Sequence, residues 1–418
     1  MPKTHQDDQS ERPEDPPGAS GRNDRFRYCP FLDGLRAISI LMVLGFHQMG
    51  RISERVSNIF SGWAGVDVFF VISGFLITSL LRQEEKDHGS FSLRRFYLRR
   101  CARIWPAYYA FLVVVILTNW SDLASVATAA VYLTNYDLAL GWGHSHNVEH
   151  VWSLAIEEQF YLCWPIILAL AGRRAVPIAG GLIVAVWTWR IGLLLGGVPW
   201  LRLTGALDTR LDSLMIGCLA ALLWARPGTR QRIRRVLAGP GVPLLVVAAL
   251  LCCAQTLGHP SDPSLQTRFL IWAVRLPLFT LLVAVLILAL LCHPNTIITR
   301  ALSQPALVWF GRLSYSLYLW HSFAFAYLWP TVRHGLLPSV ASSPWVAEAC
   351  RLVLALFLAS VSYYLVEKPF LSLKKRWESS RSRETAAGPH PVNSLLTEEL
   401  SLHKPPATNP AHALSSPA

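Results

Sequence analysis

Apolar runs of about 20 residues, the length of one helical pass through a bilayer, recur along this chain from the thirties to the mid-360s. Short polar or basic connections separate them. The pattern predicts helices near 34–50, 63–81, 104–120, 151–171, 176–195, 207–225, 241–257, 269–291, 306–329 and 347–366. The stretch from Asp122 to Leu133 is apolar but short and rich in Ala and Thr, and is left outside this set. The expected fold is therefore all-α, a polytopic membrane protein with about ten transmembrane helices.

Charge sets the orientation. Basic clusters fall at Arg82 to Arg103, at Arg173 and Arg174, at Arg226 to Arg235 ("RPGTRQRIRR") and at Lys374 to Arg376, with a weaker one at Arg300. Positive residues concentrate in cytoplasmic connections, and these clusters share one side if 122–150 stays wholly on the other. Ten spans with both termini cytoplasmic is the simplest solution. The net charge of +12 is then loop charge facing anionic lipid, and no nucleic acid is needed to account for it.

Composition agrees: of 418 residues, 52% are hydrophobic and only 15% charged, too apolar for a soluble protein of this length. The first 29 residues, rich in Pro, Gly and acids and without an apolar h-region, read as a disordered cytoplasmic arm and not as a signal peptide. Residues 30–370 form the membrane domain, and 371–418 a basic, then disordered, cytoplasmic tail with no folded soluble module expected. The 8 cysteines lie mostly in or beside apolar runs without C-x-x-C spacing. They read as small hydrophobes, with no disulfide or metal site implied.

Ionisable residues inside spans mark functional pathways or wet cavities. Here they are Arg36 and His47 in "GLRAISILMVLGFHQMG", Asp67 in "GVDVFFVISGFLIT", Glu157 and Glu158 in "HVWSLAIEEQFYLCWP", Arg210 and Asp212 in "TRLDSLMIGCLAA", and His321 in "GRLSYSLYLWH". Arg36 sits at the cytoplasmic end of the first helix. His47, eleven residues on, lies roughly 16 Å further along the axis, beyond the midplane. The carboxylates and Arg210 are expected in the outer halves, and His321 nearer the middle. Each has a plainer use: His47 as a packing residue, Arg36 as a topology anchor, Asp67 as a helix cap, Arg210 and Asp212 as an ion pair with each other. Several such residues on one face favour one polar cavity.

A second concentration lies in "SFSLRRFYLRRCARIWPAYY", where Arg95, Arg99 and Arg103 recur at helical spacing beside Arg94 and Arg100. Lipid anchoring is the plain reading. Five arginines and no lysine favour planar, paired recognition of phosphate. A phosphorylated donor in the cytosol and an acceptor outside would suit the two concentrations.

At these residues the chain resembles the acyltransferase-3 family of bacterial membrane O-acyltransferases. "FLDGLRAISILMVLGFH", "GVDVFFVISGFLIT", "FYLRRCARIWPAYY", "VWSLAIEEQFYLCWP", "RLDSLMIGCLAALL", "GRLSYSLYLWH" and "YYLVEKPF" follow in the family's order over roughly residues 30 to 370. The resemblance implies transfer of an acyl group, commonly acetyl, from cytosolic acyl-CoA to a hydroxyl on a cell-surface glycan, glycolipid or polysaccharide precursor at the bacterial inner membrane. A small-molecule acceptor such as a macrolide is the alternative. It gives His47 the catalytic role and assigns the donor to Arg36 and to the arginines at 99, 100 and 103, with Arg95 one turn earlier on the same stripe. A base near pH 7 suits a hydroxyl acceptor, and either Glu157 or Asp67 would orient the ring, in the manner of Ser/His/Asp sites. Tyr161, Trp152 and Ser153 are candidate oxyanion donors, and Arg210, Asp212 and His321 further cavity residues. The thioester brings its own leaving group, so no metal and no bound cofactor is expected. Direct transfer and an acyl-enzyme route both remain open, and acceptor specificity falls to the outer loops Asp137 to His150 and Pro330 to Trp345. The rivals are a proton-coupled transporter or flippase and a structural partner of a polysaccharide synthase.

Overall fold

The computed structural model describes residues 28–49, 62–143, 146–255, 264–335 and 343–372. The expected disordered arm, most of the tail, and parts of both outer loops lie outside these residues. Among the described residues every regular element is helical. α1 is Pro30–Met49, α2 Gly62–His88, α3 Leu93–Leu117, α4 Leu123–Ala130, α5 Thr134–Leu140, α6 Trp152–Ala171, α7 Ala175–Leu195, α8 Trp200–Gly205 and α9 Leu207–Ala225. They are followed by α10 Pro227–Val236, α11 Val242–Gln255, α12 Leu265–Phe269, α13 Leu276–Cys292, α14 Ile297–Leu302, α15 Pro305–Phe323, α16 Trp329–Gly335 and α17 Pro344–Ser362.

A helix occupies each of the ten expected ranges. Among the described residues six stretches are long and apolar enough to cross a membrane, one of them, Asn147–Leu195, holding both α6 and α7. The protein is thus an all-α, multi-pass membrane protein. α9 and α15 fall outside the six stretches, and both carry buried polar side chains. The Asp122 to Leu133 stretch holds only the 8-residue α4, started by Asp122, whose carboxylate accepts the Ser125 N–H at 2.8 Å.

Side-chain pairings fix the helix directions. α1 and α15 run parallel: Gly311 approaches Asp33, Ser314 meets Arg36, and His321 meets His47. α3 runs the same way, with Ile104 against Tyr315 and Phe111 against Trp320. α2, α6 and α9 run parallel to one another, through Ser73 with Tyr161, Thr78 with Trp164, and Asp67 with Arg210, and opposite to α1 and α15, since α6 sets Glu157 by Arg36 and Ser153 by Tyr318. α17 also opposes α15, placing Ser362 beside Ser316 at one end and Ala347 under Trp329 at the other.

Small residues allow the closest crossings, as in other membrane bundles. A Cβ on Gly217 of α9 would sit 2.1 Å from the carbonyl oxygen of Val71 on α2, and one on Gly311 of α15 would sit 1.9 Å from that of Asp33 on α1. α1 and α15 are thereby held backbone to backbone.

Candidate functional site

Along the α1–α15 seam, polar side chains form a line through an otherwise apolar core. At one end the Arg36 guanidinium donates to Ser314 Oγ from Nε (3.2 Å) and Nη2 (3.1 Å). Arg100 of α3 lies over the Tyr161 ring, 4.9 Å from its centroid, and Tyr161 and Ser73 share a 2.5 Å hydroxyl contact. Glu157 of α6 lies in the field of Arg36, Arg100 and Arg103 and accepts a hydrogen bond from Ser73. Glu367, 2% exposed in the π-helical turn Tyr363–Glu367, accepts from Ser316 at 3.2 Å and faces Arg103 and Arg36. Three guanidinium groups, the half-buried Glu157 and the buried Glu367 thus share one pocket of charge.

The opposite end holds three imidazoles. His321 is fully buried between His47 and His150, with ring centroids 5.1 Å away on either side. His47 is exposed, and its Nδ1 lies 2.9 Å from the Val43 carbonyl. A carbonyl only accepts, so Nδ1 carries the proton of the neutral ring and Nε2 holds the lone pair. His321 is oriented likewise, with Nδ1 on the Tyr318 carbonyl at 2.7 Å and Nε2 accepting from Ser322 Oγ at 3.2 Å. His150 donates through Nε2 to the Leu319 carbonyl at 3.1 Å.

Between the two ends, Ser153 and Tyr318 share a 2.7 Å hydroxyl contact, and the Tyr318 hydroxyl donates to the His150 carbonyl. The π-helical turn Ala324–Leu328 follows α15 directly; such turns often accompany functional positions.

The sequence-predicted residues fall into three groups. His47 and His321 come together, and His321 lies level with His47 and not deeper. Arg36, Arg100, Arg103, Glu157 and Tyr161 come together at the other end, so Glu157 sits lower than its outer-half expectation. The Nδ1 proton that a ring-orienting carboxylate would accept on His47 goes to the Val43 carbonyl. Arg95 and Arg99 turn instead to Glu84 of α2, at 3.3 and 2.5 Å, which divides the expected stripe in two.

Asp67, Arg210 and Asp212 form the third group. Arg210 and Asp212 do not pair with each other, because residues two apart on a helix point to different sides. Arg210 instead pairs with Asp67 at 2.7 Å, with Ser213 adding a 3.0 Å bond, and Asp212 pairs with Arg190 of α7 at 2.7 Å. Asp67 lies within α2, 0% exposed, and acts as a buried tie and not as a cap. These two ion pairs join α2, α9 and α7.

Sequence reasoning passed over Glu84, His150, Ser314, Tyr318, Arg190 and Glu367. Glu367 had a usable signal, a lone acid closing the apolar run before "KPF". The others needed the packing.

Fold and site together define a multi-pass helical membrane protein with a polar line through its bundle. The chain belongs to the acyltransferase-3 family: the family's model, described as an acyltransferase domain, matches residues 30–364. It is 29% identical over 377 residues to "Peptidoglycan O-acetyltransferase OatA" of Listeria monocytogenes, covering 82% of this chain and 56% of that protein. It is 30% identical over 385 residues to a Staphylococcus aureus protein named "Putative O-acetyltransferase", covering 83% and 58%. It is also 30% identical over 374 residues to "Putative peptidoglycan O-acetyltransferase YrhL" of Bacillus subtilis, covering 83% and 56%. The chain therefore spans less than three fifths of the length of these relatives. No solved structure matches it.

Proposed function

We propose that this protein is an O-acyltransferase moving an acyl group, commonly acetyl, from cytosolic acyl-CoA to a hydroxyl of a glycan at the outer face of the bacterial cell membrane. In this reading the chain crosses ten times and keeps both termini in the cytoplasm. The observation that carries it is the polar line from Arg36 and Ser314 to His47 and His321 along two parallel helices. A transferase with donor and acceptor on opposite faces needs such a line, with cations at one end and a base at the other. Family membership supports the chemistry, and the names of the relatives support acetyl as the group and a peptidoglycan-like glycan as the acceptor.

Arg36, Arg100 and Arg103 hold the donor's phosphates, with Glu157 and Glu367 keeping the guanidinium groups apart and oriented when no donor is bound. At the other end, His47 Nε2 takes the proton of the acceptor hydroxyl as its oxygen attacks the thioester carbonyl. The carbon–sulfur bond then breaks, and CoA leaves as the thiol with the proton returned by His47. The Val43 carbonyl, holding Nδ1–H, keeps the basic nitrogen at Nε2 and stabilises the imidazolium. Ser153 and Tyr318, bonded to each other and to the His150 carbonyl, line the route between donor and base.

The test is acetyl-CoA turnover by purified protein in nanodiscs with peptidoglycan fragments as acceptor. Acceptor-dependent release of CoA with formation of an O-acetyl ester is expected. Movement of a solute across the bilayer without CoA release would replace this reading with a transporter.

A further inference from the structure

A second basic site lies on the other side of α2. A cavity of about 1110 Å³ opens between the ends of α2, α9, α10 and α13 and the turn joining α6 to α7. Its cations are Arg82 and Lys86 of α2, Arg173 of the turn, and Arg226, Arg230 and Arg234 at α10. Among the described residues one carboxylate lines it, Glu85, paired with Arg82 at 2.5 Å. Main-chain carbonyls and an aromatic face contact several of these cations. Arg226 donates to the Arg173 carbonyl at 3.1 Å and Arg82 to that of Gly172 at 3.2 Å. Arg230 and Arg234 lie over the Trp224 ring, 6.0 and 5.6 Å from its centroid. The wall behind them is apolar: Phe31, Leu222, Leu290 and Leu291.

The α2 terminus separates this cavity from the α3 arginines. Glu84 faces outward to Arg95 and Arg99, while its neighbours Gln83 and Glu85 line the cavity. Glu84 thus partly neutralises charge on the α3 side, away from the cavity.

We propose that this cavity binds a phosphate-bearing amphiphile, its phosphate among the arginines of α10, α2 and the α6–α7 turn and its aliphatic part along Phe31, Leu290 and Leu291. Arginine favours paired hydrogen bonds to phosphate, the volume lies just above the usual range of small-molecule sites, and basic pockets between helices at the cytoplasmic side suit anionic lipid headgroups. Two sources carry this chemistry, an anionic phospholipid from the bilayer and a CoA thioester from the cytosol. The site is separate from the Arg36 end of the polar line and stands whether or not that end holds the donor.

α10 supplies a matched control. Arg230 and Arg234 line the cavity, whereas Arg232 and Arg235 of the same helix do not, and α10 has no buried side chain, so the fold tolerates both changes. Native mass spectrometry of the full chain in detergent would compare retention of phosphatidylglycerol, phosphatidylcholine and CoA. We expect phosphatidylglycerol to be retained over phosphatidylcholine, with roughly tenfold weaker retention in Arg230→Gln/Arg234→Gln and none of that loss in Arg232→Gln/Arg235→Gln. The same pattern for CoA, with phosphatidylglycerol indifferent, would assign the cavity to the nucleotide source. Equal losses in the two double variants, or no preference for a phosphate-bearing anion in the wild type, would overturn the proposal.

Discussion

The rings of His47 on α1 and His321 on α15 meet edge to face, centroids 5.1 Å apart and planes at 61°. Each ring is held through Nδ1 by a carbonyl of its own helix, so their approach depends on the register of the two helices. His321 also fills the space between His47 and His150. Replacing it with Leu or Gln removes a ring that sets the position of His47 without removing the base. Turnover is expected to fall by up to about 10²-fold, the scale of a small misplacement, with acyl-CoA affinity unchanged. Steady-state kinetics checks this; an unaltered kcat in both variants would leave His321 as packing alone.

The division of the arginines gives a sharper expectation than the stripe alone. Arg100→Lys and Arg103→Lys preserve charge but lose planar, paired bonds, and each is expected to weaken acyl-CoA binding by about 1.5–3 kcal/mol. Arg95 and Arg99 are already engaged by Glu84, so Lys at those positions should change donor affinity far less. Calorimetry on purified variants distinguishes the two sets, and equal effects across all four would return the stripe to lipid anchoring.

The α1–α15 seam is tested by its glycines. Gly311→Ala would put a methyl carbon 1.9 Å from the Asp33 carbonyl oxygen, whereas a Cβ on Gly180 of α7 meets nothing within 4 Å. Gly311→Ala is expected to destabilise the protein by at least 1–3 kcal/mol, the usual scale of overpacking, and to lower turnover with it. Gly180→Ala should be neutral or slightly stabilising, by about 0.5–1 kcal/mol. Thermal unfolding in detergent reads both.

How far the sequence reaches is visible in the same residues. Hydrophobic period and basic loops located every long helix, because burial in lipid imposes length and polarity directly on the chain. Arg36 and His47 were readable because both lie on one helix, where spacing is distance. Partners across helices were not: nothing local tells Arg99 that it meets Glu84, or Asp67 that it meets Arg210 and not a backbone amide. Glu157 was expected beside the histidine because depth was counted along its own helix. The packing of α6 against α2 and α3 brings it to Ser73 and the arginines instead.

Asp67 and Arg210 form a buried pair, 0% and 1% exposed. Removing one partner of such a pair leaves an uncompensated charge and typically costs about 3–5 kcal/mol. Asp67→Asn is therefore expected to lower thermal stability strongly, with Asp67→Asn/Arg210→Gln recovering part of the loss. Full stability of Asp67→Asn together with lost transfer would instead give Asp67 a chemical role.

The central claim is that His47 is the base at one end of a line whose other end binds the donor. Its most direct measurement is transfer of labelled acetyl from acetyl-CoA to a glycan acceptor, with donor affinity measured on the same preparations, for wild type and His47→Ala. His47 is exposed, so its truncation leaves the bundle's packing in place. The account predicts a 10²–10⁴-fold loss of transfer, the usual cost of a general base, at unchanged acetyl-CoA affinity. Transfer by His47→Ala at near the wild-type rate would contradict it.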